Sequence, residues 1–406
     1  MAVNLDPPTE LKVIDGVTLA TGCAGIKTGD RDDLVLIQLA EGSVAAAVFT
    51  QNAFKAAPVR LAQRHRAEAP TRALLINSGN ANAATGTQGL RDAIACCQAV
   101  ADALDIDVAN VLPFSTGVIG ERLPVDALRD CVRGLVGGLA PDAWLDAARA
   151  IMTTDTMPKA VSRSVELDHR VVAVTGIAKG AGMIRPDMAT MLAFVATDAR
   201  VAPGPLDDLI ACANRASFSL ITVDGDTSTN DAFTLIATGA SDMPAITSSE
   251  DPRFELLART ITGVAAELAQ AIVRDGEGAT KFVTITVQGG ASADECLEVA
   301  FTIAGSPLVK TALFAGDPNW GRFCMAIGRA RVTGLDPDKV SLWLDDLRVA
   351  AAGVMVPDYT DAAGAAVMSA PEFQVRIDLG RGTASETIWT TDLSYEYVRI
   401  NAEYRT

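Results

Sequence analysis

The fold of the central part of this chain is decided by the stretch Gly176-Ile-Ala-Lys-Gly-Ala-Gly-Met-Ile-Arg-Pro-Asp-Met-Ala-Thr-Met-Leu-Ala-Phe194. Apolar runs lie on both sides of its middle, at Arg170–Gly176 and Met191–Thr197, and runs of this kind favour strands. Between them, two glycines and a proline favour a bent loop, because glycine accepts backbone angles that other residues avoid and proline fixes φ. The stretch therefore predicts two strands joined by an irregular connection.

The end of this connection, Ala189-Thr190, places a hydroxyl nucleophile directly after a small residue. Attack of the Thr190 hydroxyl on the Ala189 carbonyl, followed by hydrolysis, would split the chain into residues 1–189 and 190–406. Thr190 would then carry a free α-amine, whose pKa of roughly 7.7–8.0 lets it take the hydroxyl proton near neutral pH. A nucleophile that has its own amine as base is a known catalytic device. For an isolated Ala-Thr pair, the simpler interpretation is a threonine that begins a buried strand.

The stretch resembles the self-cleavage signature of the ornithine acetyltransferase family, the bifunctional glutamate and ornithine N-acetyltransferases of arginine biosynthesis. Further segments resemble this family in the same order along the chain, namely Asn77-Ser-Gly-Asn-Ala-Asn82, Phe114-Ser-Thr-Gly-Val-Ile-Gly120, Thr222-Val-Asp-Gly-Asp-Thr-Ser-Thr-Asn-Asp231, Gly316-Asp-Pro-Asn-Trp-Gly-Arg322 and Asn401-Ala-Glu-Tyr-Arg-Thr406. Because the matches run from the first quarter of the chain to its last residue, the resemblance covers nearly the whole sequence.

The resemblance implies a two-step exchange without a cofactor. Thr190 would take the acetyl group from N-acetylornithine, and glutamate would accept it from the threonine ester. Whether acetyl-CoA also serves as donor is left open. The family also implies self-cleavage into an alpha fragment (1–189) and a beta fragment (190–406), assembled as a heterotetramer with two copies of each. The implied fold is the layered DmpA/ornithine-acetyltransferase-like fold, which certain self-processed aminopeptidases share.

The resemblance also implies a set of site residues. It assigns stabilisation of the oxyanion to Thr116 and Gly117, and contacts with the substrate to Thr153, Lys179, Thr190, Glu277, Asn401 and Thr406. Without the resemblance, Ser115-Thr116-Gly117 indicates only a turn, and a single Lys or Glu is usually solvated surface. Glu277, between two glycines, is expected to be exposed. Thr154 is adjacent to Thr153 in the same short motif.

Two other functions fit the same nucleophile. An N-terminal-nucleophile amidase or aminopeptidase would use water as the acceptor instead of glutamate. A protein without enzymatic activity would use the split for its maturation only. The Asp224-Gly-Asp226 and Asp317-to-Gly321 segments offer oxygen ligands, but both have the composition of turns, and no metal is predicted.

Composition excludes several classes of function. The chain has 406 residues and a formal charge of −16, which argues against nucleic acid and against an anionic membrane surface. Apolar runs are too short for a transmembrane helix, and the N-terminus lacks a secretory signal, so a cytoplasmic location is expected. The seven cysteines lack metal or redox spacing and are expected to be buried free thiols. His65 and His169, the two histidines, lie away from the nucleophile motif, so neither a catalytic histidine nor a zinc site is predicted.

Hydrophobic periodicity predicts mixed strands and helices without a strict βαβ rhythm. Further strands are predicted at Leu34–Leu39, Ala45–Thr50, Ala73–Asn77, Asp231–Thr238, Lys281–Gln288, Val340–Leu347 and Phe373–Leu379. Helices are predicted at Thr87–Leu104, Pro141–Met152, Pro205–Ala216, Glu255–Val273 and Pro307–Phe314. This order indicates an α/β protein of the layered α+β sandwich type rather than a doubly wound sheet. No glycine-rich phosphate loop is present, so no bound nucleotide is predicted.

Overall fold

The computed structural model of the chain describes residues 2–185 and 191–403. Within them the strands are β1 (Val17–Gly22), β2 (Leu34–Leu39), β3 (Val44–Phe49), β4 (Ala73–Asn80), β5 (Val111–Val118), β6 (Lys159–Leu167), β7 (Arg170–Lys179), β8 (Leu192–Thr197), β9 (Ile221–Thr222), β10 (Ala232–Ala237), β11 (Phe282–Gly290), β12 (Ser341–Leu344), β13 (Leu347–Ala351), β14 (Val354–Met355), β15 (Glu372–Asp378) and β16 (Ala384–Thr391). The α-helices are α1 (Ala57–Glu68), α2 (Gly86–Leu104), α3 (Val125–Gly137), α4 (Trp144–Ala150), α5 (Pro203–Arg215), α6 (Pro252–Arg274), α7 (Ala293–Ala304), α8 (Pro307–Ala315), α9 (Trp320–Gly328), α10 (Asp361–Ser369) and α11 (Tyr395–Ala402).

Two stacked sheets form the centre of the molecule. The central sheet has the strand order β3-β10-β8-β7-β6, and a second sheet has the order β1-β2-β4-β5. Between them lies an apolar core in which Phe114 of β5 and Phe194 of β8 meet edge to face, with ring centroids 5.0 Å apart. Helices α5 and α6 cover the outer face of the central sheet, and α2 and α3 cover the outer face of the second. The sequence of helix, sheet, sheet and helix layers confirms the predicted layered α/β fold.

A third sheet extends the molecule on its C-terminal side. Its order is β14-β13-β12-β15-β11-β16-β9, and its core is shared with α7, α8 and α9. The edge strand β9 comes from the segment between α5 and β10, and it pairs in parallel with β16. This pairing joins the third sheet to the central part of the molecule and brings α11, which follows β16, close to it.

The β7 and β8 strands place the connection that carries Ala189-Thr190. They pair antiparallel from Val174 opposite Thr197 to Lys179 opposite Leu192. The connection therefore leaves β7 and enters β8 at the same end of the strand pair. Strand β10 then pairs with β8 on one side and with β3 on the other. Residues 1–189 and 190–406 therefore both contribute strands to the central sheet, and neither piece forms a separate domain. The boundary itself lies outside the described residues and stays a prediction.

Several predicted elements are confirmed and others are wrong. Strand Leu34–Leu39 has the predicted bounds, and the helix predicted from Thr87 begins one residue earlier. The single strand predicted at Val340–Leu347 is wrong, because the chain turns at Asp345, which has a left-handed φ of 48°, and returns as β13. Helix α1 lies where the sequence predicted neither a helix nor a strand. Its apolar stripe is interrupted by arginines and completed by His65, which is buried.

Two apolar helical segments bear on the prediction that no helix crosses a membrane. Helix α6 is long and apolar enough to cross a membrane, and α7 with α8 passes the same test as a bent pair. Half of the apolar stretch of α6 is buried, and its buried face packs on the central sheet as a core helix does.

All seven cysteines are free thiols. The expectation that they are buried is wrong for three of them, Cys23, Cys212 and Cys324, which are exposed.

Close packing of α6 on β7 gives a stability prediction at Gly176. A Cβ atom at this position would lie 2.8 Å from Val195, 3.0 Å from Leu268 and 3.1 Å from Val264. We expect Gly176→Ala to lower the free energy of unfolding by about 1–3 kcal/mol, because the helix must move away from the sheet. Urea denaturation measures the change.

The matched control is Gly134→Ala in α3, where a Cβ would have no neighbour within 4 Å. This variant is expected to gain roughly 0.5–1 kcal/mol, because alanine favours a helix more than glycine does. If Gly176→Ala were as stable as the parent protein, the packing described here would be contradicted.

Candidate active site

One pocket collects the described site residues that the sequence predicted. It has a volume of about 290 Å³ and opens beside the ends of β5, β7 and β8. The predicted residues that line it are Thr116, Gly117, Thr153, Lys179, Glu277 and Asn401. Ala189, Thr190 and Thr406 lie outside the described residues. Met191, which follows Thr190 in the sequence, lines the pocket as well.

The Thr116-Gly117 pair lies at the end of β5 and depends on a close approach of two backbones. Gly117 has a φ of +132°, and a Cβ there would lie 2.2 Å from the carbonyl carbon of Gly79 in β4. Only glycine fits this approach without displacing β4. The Asn230 side-chain amide fixes the neighbouring chain, since it donates to the Ser115 carbonyl at 2.8 Å and to the Ala81 carbonyl at 2.6 Å.

The Asn77-to-Asn82 segment supports this end of β5 through buried amides. Asn77 donates to the Asn80 carbonyl at 2.8 Å and accepts a hydrogen bond from the Ser115 hydroxyl at 2.5 Å. The Asn80 side chain accepts from the backbone N–H of Asn82 at 2.8 Å. These contacts assign the segment a role that the sequence left open, which is to hold the loop opposite Gly117 in one shape.

Lys179 places a buried cation in the pocket. Its ammonium donates to the Thr116 hydroxyl at 3.3 Å and lies 3.9 Å from Asp155, and the residue is 8% exposed. Burial lowers the pKa of Lys179, while Asp155 and Glu277 raise it in part. Lys179 is therefore buried and has charged partners, whereas a single lysine is usually solvated surface.

Behind Lys179 lies a buried ion cluster that the sequence did not predict. The Lys159 ammonium lies 2.7 Å from both Asp155 and Asp275, and all three side chains are almost completely buried. Burial alone would raise the pKa of Asp155, but Lys159 and Lys179 outweigh it and hold this pKa far below its usual range. Burial alone would lower the pKa of Lys159, but the two carboxylates outweigh it and raise this pKa. Asp155 and Lys159 therefore both stay ionised.

Glu277 faces the pocket as a buried acid, and the prediction that it is exposed is wrong. It is 8% exposed, and one carboxylate oxygen accepts a hydrogen bond from the Asn401 side chain at 2.8 Å. A Cβ at Gly182 would lie 2.3 Å from that carboxylate, so glycine is required for the loop to pass Glu277. Burial follows because the Glu277 backbone N–H is bound to the Ala181 carbonyl at 2.8 Å.

Asp224 holds the chain just before the segment that contains Ala189-Thr190. Its carboxylate accepts from the backbone N–H groups of Met183 at 2.6 Å and Ile184 at 3.0 Å. Met183 has a left-handed φ of 57°, which is uncommon for this residue type. The Tyr397 hydroxyl of α11 donates to the same carboxylate at 3.3 Å. Asp224 also accepts from the Asp226 N–H at 3.1 Å, so the predicted turn is present and has this additional task.

Histidine and cysteine are absent from the described residues that line the pocket. His65 lies in α1, where its Nδ1 is 2.8 Å from the Val111 carbonyl, and His169 is fully exposed in the turn between β6 and β7. The described part of the pocket therefore offers a cation, two carboxylates (those of Asp231 and Glu277) and a threonine hydroxyl beside a glycine N–H. This set suits a small substrate with a carboxylate, an ammonium and a carbonyl group that undergoes attack.

Comparisons with known proteins give the family. Residues 18–406 match the model of the ArgJ family. The arginine biosynthesis bifunctional protein ArgJ of Pseudomonas syringae pv. tomato is 53% identical over 406 residues, which cover 100% of both chains. The protein of the same name from Methylococcus capsulatus is 56% identical over 393 residues, which cover 97% of this chain and 96% of the relative.

A solved relative agrees with the sequence comparisons. The crystal structure of the arginine biosynthesis bifunctional protein argJ from Bacillus halodurans matches with a TM-score of 0.50 and 33% identity. The match covers 52% of this chain and 98% of the solved chain. The resemblance seen in the motifs is thereby confirmed, and the chain belongs to the ArgJ family.

Proposed function

We propose that this enzyme of arginine biosynthesis is a self-cleaving acetyltransferase that moves an acetyl group from N2-acetylornithine to glutamate through an ester on Thr190. One observation carries the proposal. Lys179 and Glu277, two buried side chains of opposite charge, line the same pocket as Met191, the residue that follows Thr190. An amino-acid substrate brings a carboxylate and an ammonium, and the pocket offers a charged partner to each.

Self-cleavage prepares the nucleophile. The Thr190 hydroxyl attacks the Ala189 carbonyl carbon, the Ala189–Thr190 peptide bond breaks as the acyl group moves to oxygen, and water hydrolyses the ester. The products are residues 1–189 and residues 190–406, the latter with a free α-amine.

The two pieces stay together after cleavage because both contribute strands to the central sheet. Backbone hydrogen bonds between β3 and β10 and between β7 and β8 cross from one piece to the other. We propose a heterotetramer with two copies of each piece, as the family resemblance implies.

The transfer proceeds in two balanced steps. The Thr190 oxygen attacks the acetyl carbonyl of N2-acetylornithine, and its proton passes to the free Thr190 amine. The amide C–N bond breaks, ornithine leaves with that proton, and the acetyl group stays as an ester. The neutral α-amine of glutamate then attacks the ester carbonyl, the ester C–O bond breaks as N2-acetylglutamate leaves, and the proton that this amine loses returns to the Thr190 oxygen. Only an acetyl group and protons move, so no cofactor is required.

The pocket residues have distinct roles in this scheme. The Thr116 hydroxyl and the Gly117 N–H stabilise the oxyanion of each tetrahedral intermediate. Lys179 binds the substrate carboxylate, and Glu277, oriented by Asn401, binds the side-chain ammonium of ornithine. Thr153 and Thr406 complete the substrate contacts.

The exchange reaction tests the function directly. We expect N2-acetylornithine and glutamate together to give N2-acetylglutamate and ornithine, because the proposed acetyl ester on Thr190 reacts with the amine of the acceptor. Chromatography of the amino acids measures both products. Release of acetate at the same rate with and without glutamate would instead indicate an amidase. A parallel reaction with acetyl-CoA in place of N2-acetylornithine decides whether the enzyme has a second donor.

Intact-mass analysis tests the cleavage. We expect two fragments for the parent protein and one full-length, inactive chain for Thr190→Ala, because the variant lacks the attacking oxygen. Thr190→Ser is expected to retain partial cleavage, since only the methyl group is lost. Cleavage of Thr190→Ala at the same bond, with substrate turnover, would disprove the assignment.

The oxyanion assignment predicts a loss of kcat in Thr116→Val. This variant removes the hydroxyl but keeps the shape of the side chain, and we expect kcat to fall roughly 100- to 1,000-fold with a smaller change in KM. Steady-state exchange kinetics measure both constants. Thr154→Val is the matched control, because Thr154 lines the same pocket without an assigned role. Equal losses in the two variants would contradict the assignment.

A further inference from the structure

We propose that Asp155 is a positioning residue for the acetyl transfer, which holds the Lys179 ammonium charged and in place beside Thr116. The inference rests on the proposed function, since it concerns the lysine that is to bind the substrate carboxylate. The Asp155 side chain is completely buried, so its role is exerted through Lys179 and not through contact with the substrate.

The Asp155 carboxylate ties three segments of the chain to one point. One oxygen accepts from the Lys159 ammonium at 2.7 Å and from the Gly180 backbone N–H at 2.7 Å. The other accepts from the Thr153 backbone N–H at 3.0 Å and lies 3.9 Å from the Lys179 ammonium. Asp155 thus fixes both Lys179 and the residue that follows it, as well as the predicted substrate contact Thr153.

Asp155 is shared between two lysines, and Asp275 contributes a second negative charge beside Lys159. The buried ion cluster (Asp155, Lys159 and Asp275) and Lys179 together have two anions and two cations. Asp275 contacts Lys159 at 2.7 Å and also accepts from the Thr156 and Met157 backbones. Because Asp275 with Lys159 already forms a neutral pair, Asp155 supplies the negative charge that compensates a buried, charged Lys179.

Several charged groups face Lys179, and they act in opposite directions. Asp155, Glu277 and Asp231 favour its charged form, whereas burial and Lys159 disfavour it. Lys27, a half-buried ammonium, lies near both Asp155 and Lys179 and donates to the Ala150 carbonyl at 2.7 Å. Among the carboxylates Asp155 acts most strongly on Lys179. Its removal is therefore expected to make Lys179 lose its proton at lower pH.

The signs of the expected changes follow from these contacts. Binding of the substrate carboxylate requires a charged Lys179, so kcat/KM falls as the pH rises through the pKa of this lysine. Asp155→Asn removes an anion, which moves this basic limb to lower pH. Lys159→Gln removes a neighbouring cation, which moves the limb to higher pH. A purely structural role predicts no such opposite pair of shifts.

The experiment is the pH dependence of kcat/KM for the exchange reaction in the full, cleaved enzyme. Asp155→Asn is expected to lower kcat/KM at neutral pH by roughly 10- to 100-fold, through KM more than kcat, and to move the basic limb to lower pH. Asp275→Asn is the matched control. It removes an equally buried partner of Lys159 but makes no contact with Lys179, so it should lower the melting temperature without the same displacement.

The possible results separate this inference from the proposed function. Absence of exchange by the parent enzyme would reject the proposed function itself. If the parent exchanges normally, two results would overturn the inference. Either Asp155→Asn leaves the basic limb of kcat/KM in place, or Asp275→Asn moves this limb to lower pH by the same amount. If Asp155→Asn does not fold, as thermal melting would reveal, the double variant Asp155→Asn with Lys159→Gln, which removes one buried charge of each sign, decides: a basic limb at lower pH than in Lys159→Gln alone supports the role of Asp155, and an equal limb refutes it.

Discussion

The antiparallel pairing of β7 with β8 is the constraint on which the site depends. It places Lys179 opposite Leu192, so the connection that carries Ala189-Thr190 begins and ends beside the pocket. Phe194 of β8 packs against Phe114 of β5, and Thr116 follows two residues later on that strand. The contact between the two sheets therefore sets the position of the proposed oxyanion groups relative to the strand that follows the proposed nucleophile.

The second principle of the site is compensated charge. Lys179 and Glu277 are buried in the pocket wall, where unpaired charges would be costly. Lys179 has Asp155 beside it, and Glu277 has the Asn401 amide. An arrangement of this kind leaves the charges available to a substrate that brings the opposite charges with it. In the proposed mechanism, a pocket without histidine among its described residues still suits acyl transfer, because the amine that the proposed cleavage exposes would serve as the base.

The sequence predicted much of the fold where local patterns decide the structure. β2 and α2 were recognisable from β-branched runs and helical periodicity, since their cores follow the pattern of the chain. Helix α11 gave no such signal because it has no buried residues, and it is held by polar contacts of Ser394, Tyr397 and Asn401. Strand β12 ends at a turn whose left-handed Asp345 interrupts a pattern that looked continuous.

The site was predicted in part, and the missing part is long-range. The motifs led to Thr116, Gly117, Lys179 and Glu277, and the structure brings these residues to one pocket. The buried ion cluster behind Lys179 could not be predicted, because Asp275 lies 116 residues beyond its partner Lys159 in the sequence. Burial of Glu277 was equally hidden, since it depends on the passage of Gly182 and on a helix near the C-terminus.

The central claim is that one threonine oxygen carries the acetyl group, and mass spectrometry of the 190–406 fragment tests it most directly. After incubation with N2-acetylornithine alone, the account predicts that the peptide beginning at Thr190 gains one acetyl group, which glutamate then removes. An unmodified Thr190 in an enzyme that still exchanges acetyl groups, or an acetyl group on another residue that turns over with glutamate, would contradict it.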